Sequence, residues 1–486
     1  MLPALIRTRW VVVAVTLLLE AVLGVAICRL PLAVDSTEVL GVLFILLCGS
    51  PLAAGIIRGR WDIGEPILYS CAYLALSIGL RGFLIREDGS NLVSQAVLRG
   101  NMDFESLIRY AYVISSAGMM ALLWGYYGPW GSDLGARIPL VRTSWSRSKV
   151  LCSVMVAAVG GFIGFALLTR SMGGSVEAVI SRLHDVSTQQ GGMQFFYYPL
   201  LWCWIGGLLI SWVFLWKSRA SGSARVMVVV YLTLACLLYL TTGSKWLVFT
   251  TVVCLMLAYH YLRRRVRAVL MAAVIVGFVA AWPVFYSYQS IQGDMTHFGS
   301  AMDAYVAEGW FALPIRRSYG MDSLVLVLDR VQGLHDLSLG ATLSDVLYFF
   351  VPRALWPDKP VSFSREFAQE FMGHTGYAQA TFVSPSLFGE LFLNWHVLGV
   401  VGGMFVFGVV QKTSYSYLMR DPSNPVSVLV HAVNLLFFMH LVEGSISAQL
   451  ATWLSWFIPI VCLLLLLRAD GAPAVVVSQD CGGRHL

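Results

Sequence analysis

Two stretches decide what this chain can become. Residues 39–57, VLGVLFILLCGSPLAAGII, and 150–169, VLCSVMVAAVGGFIGFALLT, contain no charged side chain. A helix needs about 18–20 such residues to cross the hydrocarbon of a bilayer. A spanning β-strand needs only about 9–11 and alternates apolar with polar residues, a pattern these runs lack. Backbone groups in lipid must be satisfied within their own segment, so runs of this kind fold as helices. The rest of the chain agrees. Of its 486 residues 58% are hydrophobic and 12% charged, whereas a soluble domain carries about 45–50% and about 25%. The sequence therefore predicts an all-α polytopic membrane protein.

Apolar runs place spans near 10–28, 38–57, 66–85, 107–127, 149–169, 196–216, 226–243, 246–262, 268–286, 394–411, 427–443 and 451–467, about twelve transmembrane helices in all. With an even count, the basic residues beside short loops fall on one side. They are Arg7 and Arg9, Arg58 and Arg60, the ARIPLVRTSWSRSK loop, Lys217 to Arg225, RRRVR at 263–267, Lys412 to Arg420, and Arg468. The positive-inside bias makes that side, with both termini, cytoplasmic. The net charge of +6 is then a topological signal and gives no ground for a nucleic-acid partner. The start MLPALIRTRW resembles a signal peptide, but no small-residue cleavage site follows before Cys28, so it reads as an uncleaved first helix. The cysteines fall in or at the ends of spans, except Cys481 in the tail, and show neither a disulfide framework nor zinc spacing. Residues 1–468 read as a single transmembrane domain, and 469–486 as a cytoplasmic tail.

One segment does not fit a simple bundle. From about 287 to 393 the chain stays outside, and a connection of roughly a hundred residues calls for a function. Pieces such as DSLVLVLDRV and LSDVLYFFV are too short to span and too apolar for open water. They suit short helices at the interface or dipping back into the protein. Arg316, Arg317, Arg330, Arg353, Lys359 and Arg365 concentrate positive charge here, and Pro314, Pro352, Pro357 and Pro360 fix the backbone around them. Arginine offers a planar fork to phosphate oxygens and lysine a point charge. FVPRALWPDKP at 350–360 thus reads as an anion clamp beside the bilayer, anchored by Trp356. Phe363, Phe367 and Phe371 recur at helical spacing as a packing face. In SPSLFGELFLNW, Ser384 is the expected N-cap and Pro385 the first-turn proline of the next helix, with Glu390 further in.

RRSYGMDSL, FVPRALWPDKP and SPSLFGELFLNWHVLGVVGG, following a TTGSKW junction, together resemble bacterial oligosaccharide repeat-unit polymerases, the O-antigen polymerase (Wzy-type) family. The likeness covers mainly 240–410. It implies an inner-membrane glycosyltransferase of GT-C type with one long periplasmic loop, joining undecaprenyl-diphosphate-linked repeat units at the periplasmic face. Implied partners are those lipid-linked donors and acceptors, the bilayer, a chain-length copolymerase and a flippase; no cofactor is implied. Where the family more often has arginine, GSK puts Lys245 among the diphosphate-binding cations, with Arg316, Arg317, Arg353, Lys359 and Arg365. The chain departs from the family at NWHVLG, where Trp395 and His396 replace an asparagine-phenylalanine-glycine run.

Glycosyl transfer from a lipid diphosphate needs cations for the leaving group and a base for the acceptor hydroxyl. Asp322, His374 and Glu390 are the candidate bases, with Glu390 and Asp322 preferred and Asp358 expected to pair with a cation. The outer segments offer no metal-ligand spacing beyond Glu87 and Asp88, so no metal is assigned. An O-antigen ligase shares donor and architecture. A flippase is the alternative from another class, although its hallmark intramembrane charges are few here: Glu20, Arg81, His260, His431 and His440. His431 and Asn434 share a face and are expected to bond between helices.

Overall fold

The computed structural model describes residues 36–57, 62–85, 103–141, 143–176, 178–179, 193–217, 222–242, 245–266, 268–290, 297–307, 313–316, 318–331, 333–348, 351, 355–356, 358–360, 363–372 and 384–468. Among them every regular element is a helix, apart from one isolated bridge between Thr143 and Arg468. Nine helices are long and apolar enough to cross a membrane. They are α1 (Ser36–Ile57), α2 (Pro66–Leu84), α3 (Phe104–Tyr127), α4 (Arg147–Ser171), α5 (Tyr197–Lys217), α6 (Gly222–Thr242), α11 (Ser386–Arg420), α12 (Pro425–Glu443) and α13 (Ile446–Leu465). Between them lie α7 (Lys245–Leu262), which is shorter, and several loop helices, among them α8 (Leu313–Arg316), α9 (Gly320–Arg330) and α10 (Phe363–Met372).

The chain is thus an all-α, multi-pass membrane protein, with nine spans among the described residues rather than the twelve expected. The first expected span, 10–28, lies outside those residues. The expected span at 268–286 is two short helices, Ala268–Ala280 and Trp282–Ser290. Pro283 cannot donate to the carbonyl of Val279, and its ring crowds that turn, so the helix is interrupted there.

Buried side chains form two cores. One joins α1, α2, α3, α9, α10 and α11, the other α4, α5, α6, α7 and α13, and α12 contributes to both. Close packing of α3 on α11 depends on small residues. A Cβ on Gly125 would stand 2.1 Å from the Phe405 carbonyl oxygen, and one on Gly408 would stand 2.2 Å from that of Leu122. Small residues let membrane helices approach backbone to backbone, which gains dispersion contact where lipid removes the hydrophobic drive.

A polar network closes the end of the bundle that holds the Asp62–Glu65 turn. Asp62 accepts from Tyr261 Oη (2.6 Å), Tyr415 Oη (3.0 Å) and the Gly64 amide (3.2 Å), with His260 Nε2 at 3.5 Å. His431 meets the Gly64 carbonyl (2.7 Å) and Ser414 Oγ (3.0 Å), while Asn434 bonds Ser414 and Trp453. His431 and Asn434 therefore bond between helices, as their shared face suggests. Burial raises the Asp62 carboxyl, but donors from His260, Tyr261, Gly64 and Tyr415 outweigh it and hold the group at about 2.

Candidate functional site at the opposite end of the bundle

The segment expected to stay outside does not form a domain of its own. Every residue of α9 from Gly320 to Asp329 is buried, and the helix packs against α2, α3 and α11. Of the two placements expected for its apolar sequence, the one inside the protein is found.

Helix α2 is shaped to receive it. Residues Ala75–Leu80 form a wide π turn ending at Arg81, an irregularity that frequently marks functional positions. Ser77 and Arg81 then meet the start of α9 in order. A Cβ on Gly320 would lie 3.1 Å from the Ser77 side chain. Arg81 Nε and Nη2 donate to Asp322 Oδ2 (2.8 Å) and Oδ1 (2.9 Å), and both side chains have 0% exposure. A forked, fully buried pair of this kind fixes two elements in register, because loss of either partner strands a charge in the core.

The helix after the loop differs from expectation at its start and its middle. Pro385, not Ser384, is the capping residue, and α11 begins at Ser386 with φ 62°. Ser386 Oγ accepts from the Gly389 amide at 3.4 Å. The Ser384 carbonyl accepts from Ser323 Oγ (2.7 Å), which ties it to α9, while its buried hydroxyl caps nothing. The helix then breaks at Trp395 and His396, the latter with φ 56°. Beyond the break the chain doubles back. A Cβ on Gly399 would lie 2.2 Å from the Leu391 carbonyl oxygen, and one on Gly403 would lie 2.4 Å from the Leu391 side chain. In a straight helix those residues would be about 12 and 18 Å apart along the axis, at about 1.5 Å per residue. Residues 386–394 therefore form a short re-entrant helix beside the membrane helix proper.

Glu390 sits on that re-entrant helix with 0% exposure. Its Oε1 accepts from Thr342 Oγ1 (2.9 Å) and its Oε2 from the Ile446 amide (2.5 Å). Asn394 donates to Thr342 Oγ1 (2.8 Å) and to the Glu390 carbonyl (2.8 Å), and accepts from the Gly340 amide (2.7 Å). Leu339, at φ 48°, and Gly340, at φ 91°, make the turn that presents this amide. Ser364 on α10 meets Ser445 at 2.9 Å. Glu443 accepts from Tyr73 Oη and from the Tyr319 amide (3.3 Å). The junction Glu443–Gly444–Ser445–Ile446 is thus bonded to α2, α9, α10 and the re-entrant helix together.

The cations distribute around this hub. Arg316 closes α8, which packs on the π turn and on the Arg81 segment. It is half-buried, and its Nε is buried without a hydrogen bond. Arg365 follows Ser364 on α10, whose Phe363 and Phe367 are buried in the first core. Lys359 Nζ donates to the Val351 carbonyl (3.0 Å). Beside it Leu355 is 80% and Trp356 40% exposed, a placement that suits a membrane interface. Arg317, Arg353 and His374 lie outside the described residues, as do Glu87, Asp88 and the side chain of Lys245. Among the described residues no three His, Cys, Asp or Glu side chains gather as metal ligands would.

Sequence reasoning missed Glu443, Tyr73, Thr342 and Asn394. For Glu443 one signal exists in the chain: an acid in the last turn of a helix stands at the negative end of the helix dipole, which an acid without another task avoids. No family model matches the chain, and neither the curated proteins nor the solved structures give a match.

Proposed function

We propose that this chain is an inner-membrane polysaccharide polymerase of GT-C type. It joins undecaprenyl-diphosphate-linked repeat units by glycosyl transfer at the periplasmic face, with both termini in the cytoplasm. The observation that supports this best is the course of 313–394. Its described residues fold back into one end of a membrane bundle and are bonded there to α2, α12, Ser445 and α13. Cations carried on such a segment suit a substrate whose diphosphate lies at the membrane surface while its sugars extend outward.

In this reading Arg316, Lys359 and Arg365, with Arg317, Arg353 and Lys245, bind diphosphate and stabilise the negative charge that grows on the leaving group. Fixed donors of this sort are each worth about 10²- to 10³-fold in rate. Asp322 and Glu390 act at one remove. Their oxygens are occupied by Arg81, Thr342 and Ile446, so they position α9 and the re-entrant helix that frame the site. A flippase would deliver the repeat units and a copolymerase would set chain length.

The test is reconstitution of purified protein with lipid-diphosphate-linked repeat units, no nucleotide sugar and a chelator, read on a gel. A ladder of products supports a metal-independent polymerase. Product only after a lipid A core acceptor is added makes the chain a ligase. No product with either, from folded protein and verified substrate, places it with transporters.

A further inference from the structure

The proposed reaction needs a group that takes the proton of the acceptor hydroxyl, and that group must touch the acceptor. The described carboxylates at the hub differ in what they can touch. Asp322 and Glu390 have 0% exposure, and every carboxylate oxygen of the two already accepts a hydrogen bond. No sugar hydroxyl can approach either without dismantling α9 or the re-entrant helix. Glu443 is half-buried. Its Oε2 accepts from Tyr73 Oη, and its Oε1 takes only the long 3.3 Å bond from the Tyr319 amide, so lone pairs remain on Oε1 for an incoming hydroxyl.

Its location also suits a carboxylate that must hold charge and then accept a proton. Tyr319 caps the N-terminus of the eleven-residue α9, whose positive dipole end favours an anion. Gly444 and Ser445 follow directly, and Ser445 contacts Ser364, the neighbour of the diphosphate-binding candidate Arg365. The candidate base and a candidate cation for the leaving group are therefore carried by elements that meet at one junction.

Resting on the polymerase reading, we infer that Glu443 is the catalytic base of the transfer, with Tyr73 as the residue that positions and tunes it. The acceptor oxygen forms a bond to the anomeric carbon of the donor. The bond from that carbon to the diphosphate oxygen breaks, and its electron pair leaves on the lipid diphosphate. The hydroxyl proton passes to Glu443. The titratable and charged groups on the surrounding elements are Tyr73 and Arg81 on α2, Arg316 on α8, Tyr319 and Asp322 at the start of α9, Arg365 on α10, Glu390 on the re-entrant helix, and His440 one turn earlier on α12.

The test compares wild type, Glu443→Gln and Tyr73→Phe in the reconstituted ladder assay, each checked for folding by monodispersity and thermal melting. Glu443→Gln is expected to lose about 10²-fold or more in rate while still binding the lipid-linked donor. Tyr73→Phe removes the donor that favours the charged carboxylate, so the acid limb of its pH–rate profile is expected to move to higher pH. A structural role for Tyr73 would lower activity without moving that limb. Folded Glu443→Gln within a few-fold of wild type, or a Tyr73→Phe limb that stays in place, overturns the assignment while leaving the polymerase reading intact. A wild-type chain that makes no ladder overturns both.

Discussion

The Arg81–Asp322 pair gives the most direct test of how the outer segment is held. Both side chains are wholly excluded from solvent and share two hydrogen bonds of 2.8 and 2.9 Å. Removing one partner of such a pair leaves an uncompensated charge and costs about 3–5 kcal/mol, or roughly 10²- to 10⁴-fold in the folded population at 1.36 kcal/mol per tenfold. Replacing both with apolar residues of similar volume is often neutral. Arg81→Met and Asp322→Leu singly are therefore expected to melt early in detergent and to accumulate poorly in membranes. The Arg81→Met/Asp322→Leu double variant should recover most of the lost melting temperature. Because both positions act through α9 and not on substrate, the double variant should also recover polymer synthesis. Additive losses in the double variant would refute the pairing argument. A stable double variant without any polymer would return a direct chemical role to Asp322.

Other outcomes follow from the same geometry. Asp62 has a folded value near 2 against an ordinary 3.8. Its bonds therefore stabilise the fold fully above the unfolded value, and that contribution fades as pH falls from about 4 through 2. Asp62→Ala should cost about 2 kcal/mol at neutral pH, and the gap to wild type in melting experiments should close in acid. Gly125→Val should destabilise by about 1–3 kcal/mol through overpacking against the Phe405 carbonyl. Gly402→Ala, with open space around its Cβ, should match wild type or gain up to about 1 kcal/mol in helix propensity; thermal melts of the two check both. Arg353→Ala and Arg316→Ala should each abolish polymer while the protein remains in the membrane. Normal polymer from either stable variant, read on a gel of extracted polysaccharide, would count against the diphosphate clamp.

Much of the fold was legible in the chain because lipid imposes a one-dimensional rule. A helix that must satisfy its own backbone in hydrocarbon announces itself by length and apolarity alone, so α1 to α6, α12 and α13 fall within a few residues of the expected spans. What the chain by itself could not determine is how short apolar pieces are used. DSLVLVLDRV is compatible with an interfacial helix or a buried one, and only Arg81, some 240 positions earlier, decides the matter by requiring Asp322 inside. SPSLFGELFLNWH reads as the start of a continuous span. The reversal at Trp395–His396 arises because residues 386–394 find partners in α9, Thr342 and Ile446 that a straight helix could not reach. Glu390 and Asp322 were visible as carboxylates, but their occupation by distant donors was not. Composition and periodicity act locally and settle which segments enter the membrane. Pairing between residues hundreds of positions apart is settled only when the helices pack, and that pairing decides which acids have both oxygens locked away, as in Asp322 and Glu390, and which stay half-buried, as in Glu443.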